Sequence, residues 1–141
     1  FFKDIPMEYI LLVHLCYESY CQCTSVVLKD KDSSLYLGRT LDWVDFERLR
    51  ELTIDIDVYN GNVFLYKFTT FVGYIGCLTS VKWNKFGFAI NFRMTSSNKI
   101  NEMHYQNPNW PIGFLGRYMN EHCNTLNDAI KLWSKEMLMA P

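Results

Sequence analysis

Three residues of this chain can do chemistry together: Cys23, Arg39 and Asp42. Cys23 opens Cys23-Thr24-Ser25-Val26-Val27, and Arg39 and Asp42 follow sixteen and nineteen residues later in Gly38-Arg39-Thr40-Leu41-Asp42. A cysteine attacks only as its thiolate, and with an unperturbed pKa near ~8.5 the thiol is mostly protonated at neutral pH. A guanidinium beside it favours the thiolate, and a carboxylate can hold an amine by a charge-assisted hydrogen bond. The elements that must position the three are two short strands. Val26, Val27 and Leu28 give the first an apolar run. Ser33 and Ser34, after Lys29-Asp30-Lys31-Asp32, supply the turn, and Leu35 to Leu41 runs back. Such a hairpin carries Arg39 and Asp42 to the start of the first strand, near Cys23. Taken alone, each has a plainer role: a small buried hydrophobe for the cysteine, a strand-end charge for the arginine, a solvated turn carboxylate for the aspartate.

The rest of the pattern predicts a mixed fold. Met7 to Tyr20 is apolar on more than one face and is expected to be a largely buried helix. Strands are expected over Thr24–Lys29, Leu35–Leu41, Glu51–Tyr59, Val63–Thr70, Val72–Ser80 and Phe86–Met94. The third alternates Leu52, Ile54, Ile56 and Val58 against Glu51, Thr53, Asp55 and Asp57, the period of a strand with one buried face. Asn60-Gly61 marks its hairpin turn. Thr95 to Asn109 reads as loop. Pro111 then opens a helix with Ile112, Leu115, Tyr118 and Met119 at helical spacing. Thr125-Leu126-Asn127-Asp128 has the form of a capping box with Asp in the acidic position, before a second helix carrying Ala129, Leu132 and Trp133. Helix, antiparallel strands, then helices is an α+β order.

At 141 residues the chain suits one domain, and at 49% hydrophobic and 16% aromatic content it can build a core. The net charge of -1, from 14 basic and 15 acidic residues, gives no nucleic-acid footprint. The apolar run Tyr9 to Leu15 is interrupted by His14 and too short to span a bilayer. Five cysteines fit neither a closed disulfide framework nor paired zinc-binding C-x-x-C motifs, and His14, His104 and His122 share no metal-like spacing. No metal or cofactor is expected. No Asn-x-Ser/Thr acceptor occurs in these residues. The chain begins at Phe1 and ends at Ala140-Pro141, and is expected to be a piece of a longer protein.

Cys-Thr-Ser-Val-Val followed by Gly-Arg-Thr-Leu-Asp resembles the start of the β-subunit in the acid ceramidase and N-acylethanolamine acid amidase family. These are N-terminal-nucleophile cysteine hydrolases related to the choloylglycine hydrolases. The similarity continues through Leu52-Thr53-Ile54-Asp55-Ile56, Thr69-Thr70-Phe71-Val72-Gly73-Tyr74-Ile75-Gly76, Ile112-Gly113-Phe114-Leu115 and Leu138-Met139-Ala140-Pro141. Tyr17-Glu18 is family-like as well, at the end of the segment that becomes the α-subunit. The resemblance implies an αββα sandwich, present here as an incomplete fragment. Residues 1–22 would end the α-subunit and 23–141 would begin the amidase domain, with α and β subunits from one precursor.

It also implies the chemistry. The thiol of Cys23 would attack the Gln22 carbonyl and cut the Gln22–Cys23 bond, Cys21 being a weaker candidate. The freed α-amine, with a reference pKa of roughly 7.7–8.0, would serve as base. Asp42 would hold that amine, and Arg39 would orient Asp42 and the thiolate. Asn91 and Arg93 are expected substrate contacts, and Trp43 and Tyr74 expected walls of an acyl pocket. The same residues have a plainer reading as structure and core. Phe92 stands where the family often has an acidic residue, and Thr40 where asparagine commonly follows the arginine. The family's oxyanion asparagine lies downstream of this sequence. The implied function is hydrolysis of a fatty acyl amide, ceramide or N-acylethanolamine, in a lysosomal or secretory setting with membrane-surface contact. The alternative is a non-catalytic lipid-binding or interaction protein that keeps the fold.

Overall fold

A computed structural model describes residues 4–19, 22–43, 46–92 and 109–139. Helix α1 (Met7–Ser19) leads into an antiparallel hairpin of β1 (Gln22–Lys29) and β2 (Leu35–Asp42). A short helix α2 (Phe46–Glu51) connects it to a four-stranded antiparallel sheet of β3 (Thr53–Asn60), β4 (Val63–Phe71), β5 (Thr79–Lys82) and β6 (Phe86–Ala89), in sequential order. Helices α3 (Ile112–His122) and α4 (Leu126–Trp133) follow. No described helix is long and apolar enough to cross a membrane.

Strand alternation builds the layers. On β5, Thr79 accepts a hydrogen bond from Arg39 of the hairpin, whereas its neighbour Ser80 donates to Asn120 of α3. Successive residues of a strand face opposite ways. The four-stranded sheet therefore carries α3 on one face and the β1–β2 hairpin on the other. Together they form three layers, helix on sheet on hairpin, which is part of the αββα arrangement. Lys82, again on the α3 face, donates to the Asn120 and Cys123 carbonyls at 2.9 and 2.7 Å. It caps the end of α3 with a positive charge, where the helix dipole favours one.

Of the signals with a local cause, the capping box is realised as expected and the glycine turn is displaced by one residue. Thr125 and Asp128 form the full capping box. The β3–β4 turn is centred one residue later than Asn60-Gly61, on Gly61 and Asn62, and Gly61 takes φ +59°. That places glycine at the first central position, where a two-residue type II′ turn needs it.

Three expectations differ. Val72–Ser80 is not one strand: the chain turns at Gly73, whose φ of +93° no strand residue adopts, and pairs again only from Thr79. The strand expected to Met94 ends at Ala89. Helix α1 is not largely buried. Leu11, Leu12 and Val13 are exposed in these residues, while His14 and Tyr17 pack inward. A single helical stripe, His14 and Tyr17, reaches the core.

The family-like segments meet in one joint. Cys77 N–H donates to the Gly113 carbonyl at 2.8 Å, and Ile75 N–H donates to His14 Nε2 at 3.2 Å. His14 stacks between Tyr74 and Phe114 at 5.4 and 5.5 Å. The Gly73–Gly76 turn thus ties α1 to α3, and with α1 it fixes Tyr17.

Candidate active site

The hairpin register sets the site. Cys23 stands opposite Leu41, Ser25 opposite Arg39, and Gln22 opposite Asp42. Opposed residues share a face, and successive ones alternate. Cys23, Ser25, Leu37, Arg39 and Leu41 therefore lie on the inner face. Gln22, Thr40 and Asp42 lie on the outer one, an alternation that their exposure follows. Cys23 packs against a buried cluster that includes Tyr17, Phe71, Leu78 and Ile90.

Arg39 meets the thiol directly. One Nη2 of its guanidinium lies 3.0 Å from Cys23 Sγ and 3.0 Å from Tyr17 Oη, and Nη1 donates to Thr79 Oγ1 at 3.1 Å. The planar fork holds three groups from three elements at once, which a single ammonium cannot do. Among the described residues its buried Nε has no hydrogen-bond partner. A fixed positive charge against the sulfur favours the thiolate. Cys77 is the contrast within the same fold: fully buried, its thiol is pushed up to about 11, chiefly by desolvation.

Asp42 takes a different position. Its carboxylate accepts from Thr40 Oγ1 at 3.4 Å, and Thr40 Oγ1 in turn accepts from Thr24 N–H at 3.2 Å. Arg39 and Asp42 do not meet, so the expectation that the arginine orients the aspartate is corrected. They are three residues apart on one strand, and an odd separation puts them on opposite faces. Asp42 instead stands on the outer face across from Gln22, beside the Gln22–Cys23 bond.

The remaining expected residues divide. Trp43 packs edge-on to Tyr17 and Phe71, and with Arg39, Leu49 and Thr79 it lines an open cleft of about 980 Å³ that also reaches Gln22 and Asp42 at the end of the hairpin. Tyr74 is in the core, stacked 5.0 Å from Phe71, with its hydroxyl against Gly76 and Gly113. It has no surface to offer an acyl chain, which corrects that expectation. Asn91 Oδ1 accepts from Ser25 Oγ at 2.7 Å, which ties it to β1 two residues beyond Cys23. Arg93 and Cys21 lie outside the described residues. Phe92 packs into the cluster around Cys23, edge-on to Tyr17 at 6.5 Å. Among the described residues no three His, Cys, Asp or Glu side chains stand together as a metal site.

Tyr17 at the thiol and Thr79 on the Arg39 fork were not expected. Both come from outside the hairpin, and nothing in its spacing points to them. The one available signal was the family-like Tyr17-Glu18 pair just before the cysteines.

Comparison with known proteins gives a coherent set of relatives. No family model matches the chain. The acid ceramidases of Bos taurus and Homo sapiens are each 30% identical over 156 residues, covering 98% of this chain and 39% of those proteins. An uncharacterized protein of Acanthamoeba polyphaga mimivirus is 31% identical over 150 residues, covering 97% of this chain and 45% of that one. The chain thus spans about two fifths of the length of the ceramidases it matches. Among solved structures, a Caenorhabditis elegans N-acylethanolamine-hydrolyzing acid amidase ortholog superposes with a TM-score of 0.70 at 24% identity, covering 83% of this chain and 51% of that one. That likeness is one of fold.

Proposed function

The chain belongs to the acid ceramidase and N-acylethanolamine acid amidase family, and from that premise we propose that it is a cysteine amidase of fatty acyl amides with Cys23 as its nucleophile. The observation that carries the reading is the Arg39 guanidinium 3.0 Å from Cys23 Sγ, since it supplies what a thiol needs to act at neutral or acid pH. In the precursor, Sγ attacks the Gln22 carbonyl, the peptide nitrogen takes up the thiol proton, and water hydrolyses the resulting thioester. The Cys23 α-amine is then free. It accepts the thiol proton as Sγ attacks the substrate amide, and gives it to the departing amino-alcohol. Water resolves the acyl-enzyme and releases the fatty acid. Asp42, across the ladder from Gln22, holds the α-ammonium. The cavity walled by Trp43 and Leu49 takes the acyl chain. The setting is the lysosome or the secretory route.

A second reading rests on Phe92. Its ring packs into the cluster that holds Cys23, at a position where the family resemblance implies an acid. It supports a lipid-binding protein that keeps the fold without turnover. One experiment separates the two. In the full-length protein the larger product should begin at Cys23 by mass spectrometry, and Cys23→Ala should leave the chain whole. The wild-type protein should then release fatty acid from ceramide or from an N-acylethanolamine, and the preferred amide identifies the substrate. Cleavage at Gln22–Cys23 in the alanine variant would sink the proposal, and an uncut wild-type chain would support the second reading.

A further inference from the structure

We propose that Tyr17 is a positioning residue for the nucleophile: its hydroxyl holds the Arg39 fork on Cys23 and shares in stabilising the thiolate. The inference rests on the reading of Cys23 as nucleophile and extends it to a residue on the other side of the Gln22–Cys23 bond. Tyr17 Oη lies 3.5 Å from Cys23 Sγ, accepts from Arg39 Nη2 at 3.0 Å and donates to the Ile90 carbonyl at 3.2 Å. The same Nη2 reaches Sγ at 3.0 Å. An arginine Nη has two hydrogens, so one points at the sulfur while the other is held by the hydroxyl. Losing that acceptor frees the fork to rotate away from Sγ.

The hydroxyl has a second use. It carries one proton and two acceptor positions. With the thiol protonated, its proton serves the Ile90 carbonyl, and a remaining lone pair faces the S–H. With the thiol ionised, the same proton can turn to the sulfur, 3.5 Å away. The ring cannot drift, because Tyr17 is 1% exposed and is met edge-on by Trp43 at 5.8 Å and by Phe92 at 6.5 Å. Among the described residues Tyr17 from α1 and Arg39 from β2 reach the thiol, and in the processed chain the Cys23 α-amine, the proposed base, stands beside it. Asp42 stands one ladder position away on the opposite face, and Cys77 lies ahead of β5. Arg39 Nη2 and the Tyr17 hydroxyl both reach Sγ from the inner face.

The test is the pH dependence of Cys23 alkylation by iodoacetamide in the full-length protein, read at the Cys23 peptide by mass spectrometry. The Cys77 peptide serves as the unreactive reference. Tyr17→Phe keeps the ring and removes the hydroxyl. Its midpoint should rise by about one pH unit, the size expected for one hydrogen bond to a charged group, with a rate about tenfold lower below the midpoint. A purely structural role would lower the melting temperature and leave the midpoint in place, and that result overturns the inference. Should Tyr17→Phe fail to fold, 3-fluorotyrosine at position 17 keeps the native contacts. Its fluorine resonance should titrate with the Cys23 midpoint, and a resonance that does not move overturns the inference equally. The readout needs no amide substrate. A shifted midpoint in a protein that hydrolyses no fatty amide would remove the proposed function and leave the role of Tyr17 standing. Normal hydrolysis with an unshifted midpoint would do the reverse.

Discussion

At the scale of the residue, the site is a problem of reach. Arg39 spans Cys23, Tyr17 and Thr79 from one side chain, and each contact is 3.1 Å or shorter. A lysine in its place has one nitrogen on a flexible stem and cannot hold the sulfur, the phenol and the threonine together. Arg39→Lys should lower fatty-amide hydrolysis by about 10², with circular dichroism unchanged. Asp42→Asn keeps the shape and removes the charge proposed to hold the α-ammonium. Since Asp42 is exposed at the end of β2, turnover should fall steeply while the fold persists. Near-normal hydrolysis of a fluorogenic fatty amide by both variants would make these residues surface charges and the family kinship one of fold alone. The pair differ in mechanism because they face opposite ways. Arg39 lies against the sulfur on the inner face, and Asp42 stands opposite Gln22 on the outer.

At the scale of the element, the chain shows how far local chemistry goes. The box at α4 is complete: Asp128 N–H donates to Thr125 Oγ1 at 3.1 Å, and Thr125 N–H donates back to Asp128 Oδ2 at 3.0 Å. The Thr125 hydroxyl also donates to that carboxylate at 2.7 Å. These bonds, the side-chain one foremost, hold the Asp128 carboxyl below its ordinary 3.8. A depressed carboxyl contributes stability that is fully present above its unfolded value and is lost as pH falls through the folded one. Asp128→Asn should therefore lower the urea midpoint of the full-length protein at pH 7, and the difference from wild type should shrink in acid below about pH 4. Thr125→Ala removes the cap itself and should cost about 1 kcal/mol at pH 7. A pH-independent deficit for Asp128→Asn would mean the carboxylate charge plays no part. The β1–β2 hairpin is local in the same sense, and the Leu35–Leu41 return follows from the turn before it.

At the scale of the whole molecule, the Gly73–Gly76 turn and the start of α3 decide where α1 sits. Gly116 is the tightest point with a backbone neighbour. A Cβ there would run into the Cys77 carbonyl and the Phe88 ring, and the carbonyl cannot move aside cheaply. Gly116→Ala should push α3 off the sheet and disturb the Cys77–Gly113 bond. Overpacking of this kind costs roughly 1–3 kcal/mol. It should also slow Cys23 alkylation, because α1 and Tyr17 are anchored through the same joint. Full stability in the Gly116→Ala protein, measured by thermal unfolding, would contradict the close packing described here. Gly61 provides the control: a Cβ there meets nothing within 4 Å, and an alanine suffers only the strain of its positive φ.

The amino-acid order by itself determined what depends on near neighbours. The hairpin that carries Arg39 to Cys23, the glycine turn between β3 and β4 and the capping box of α4 each need residues only a few positions apart, or the period of a strand. The motifs that marked the family did so without revealing that Gly73–Gly76 and Ile112–Leu115 form one joint. Tertiary structure alone decided which groups hold the Arg39 fork against the thiol. Tyr17 and Thr79 arrive from a helix and a strand outside the hairpin, 22 and 40 positions from Arg39. It also decided that Tyr74 belongs to the core and that a single stripe of α1 is covered. The separation of Arg39 from Asp42 lay between the two cases. Alternation along β2 was legible, but only the pairing of that strand with β1, and the burial of one face against the four-stranded sheet, made the inner side the one that faces the sulfur.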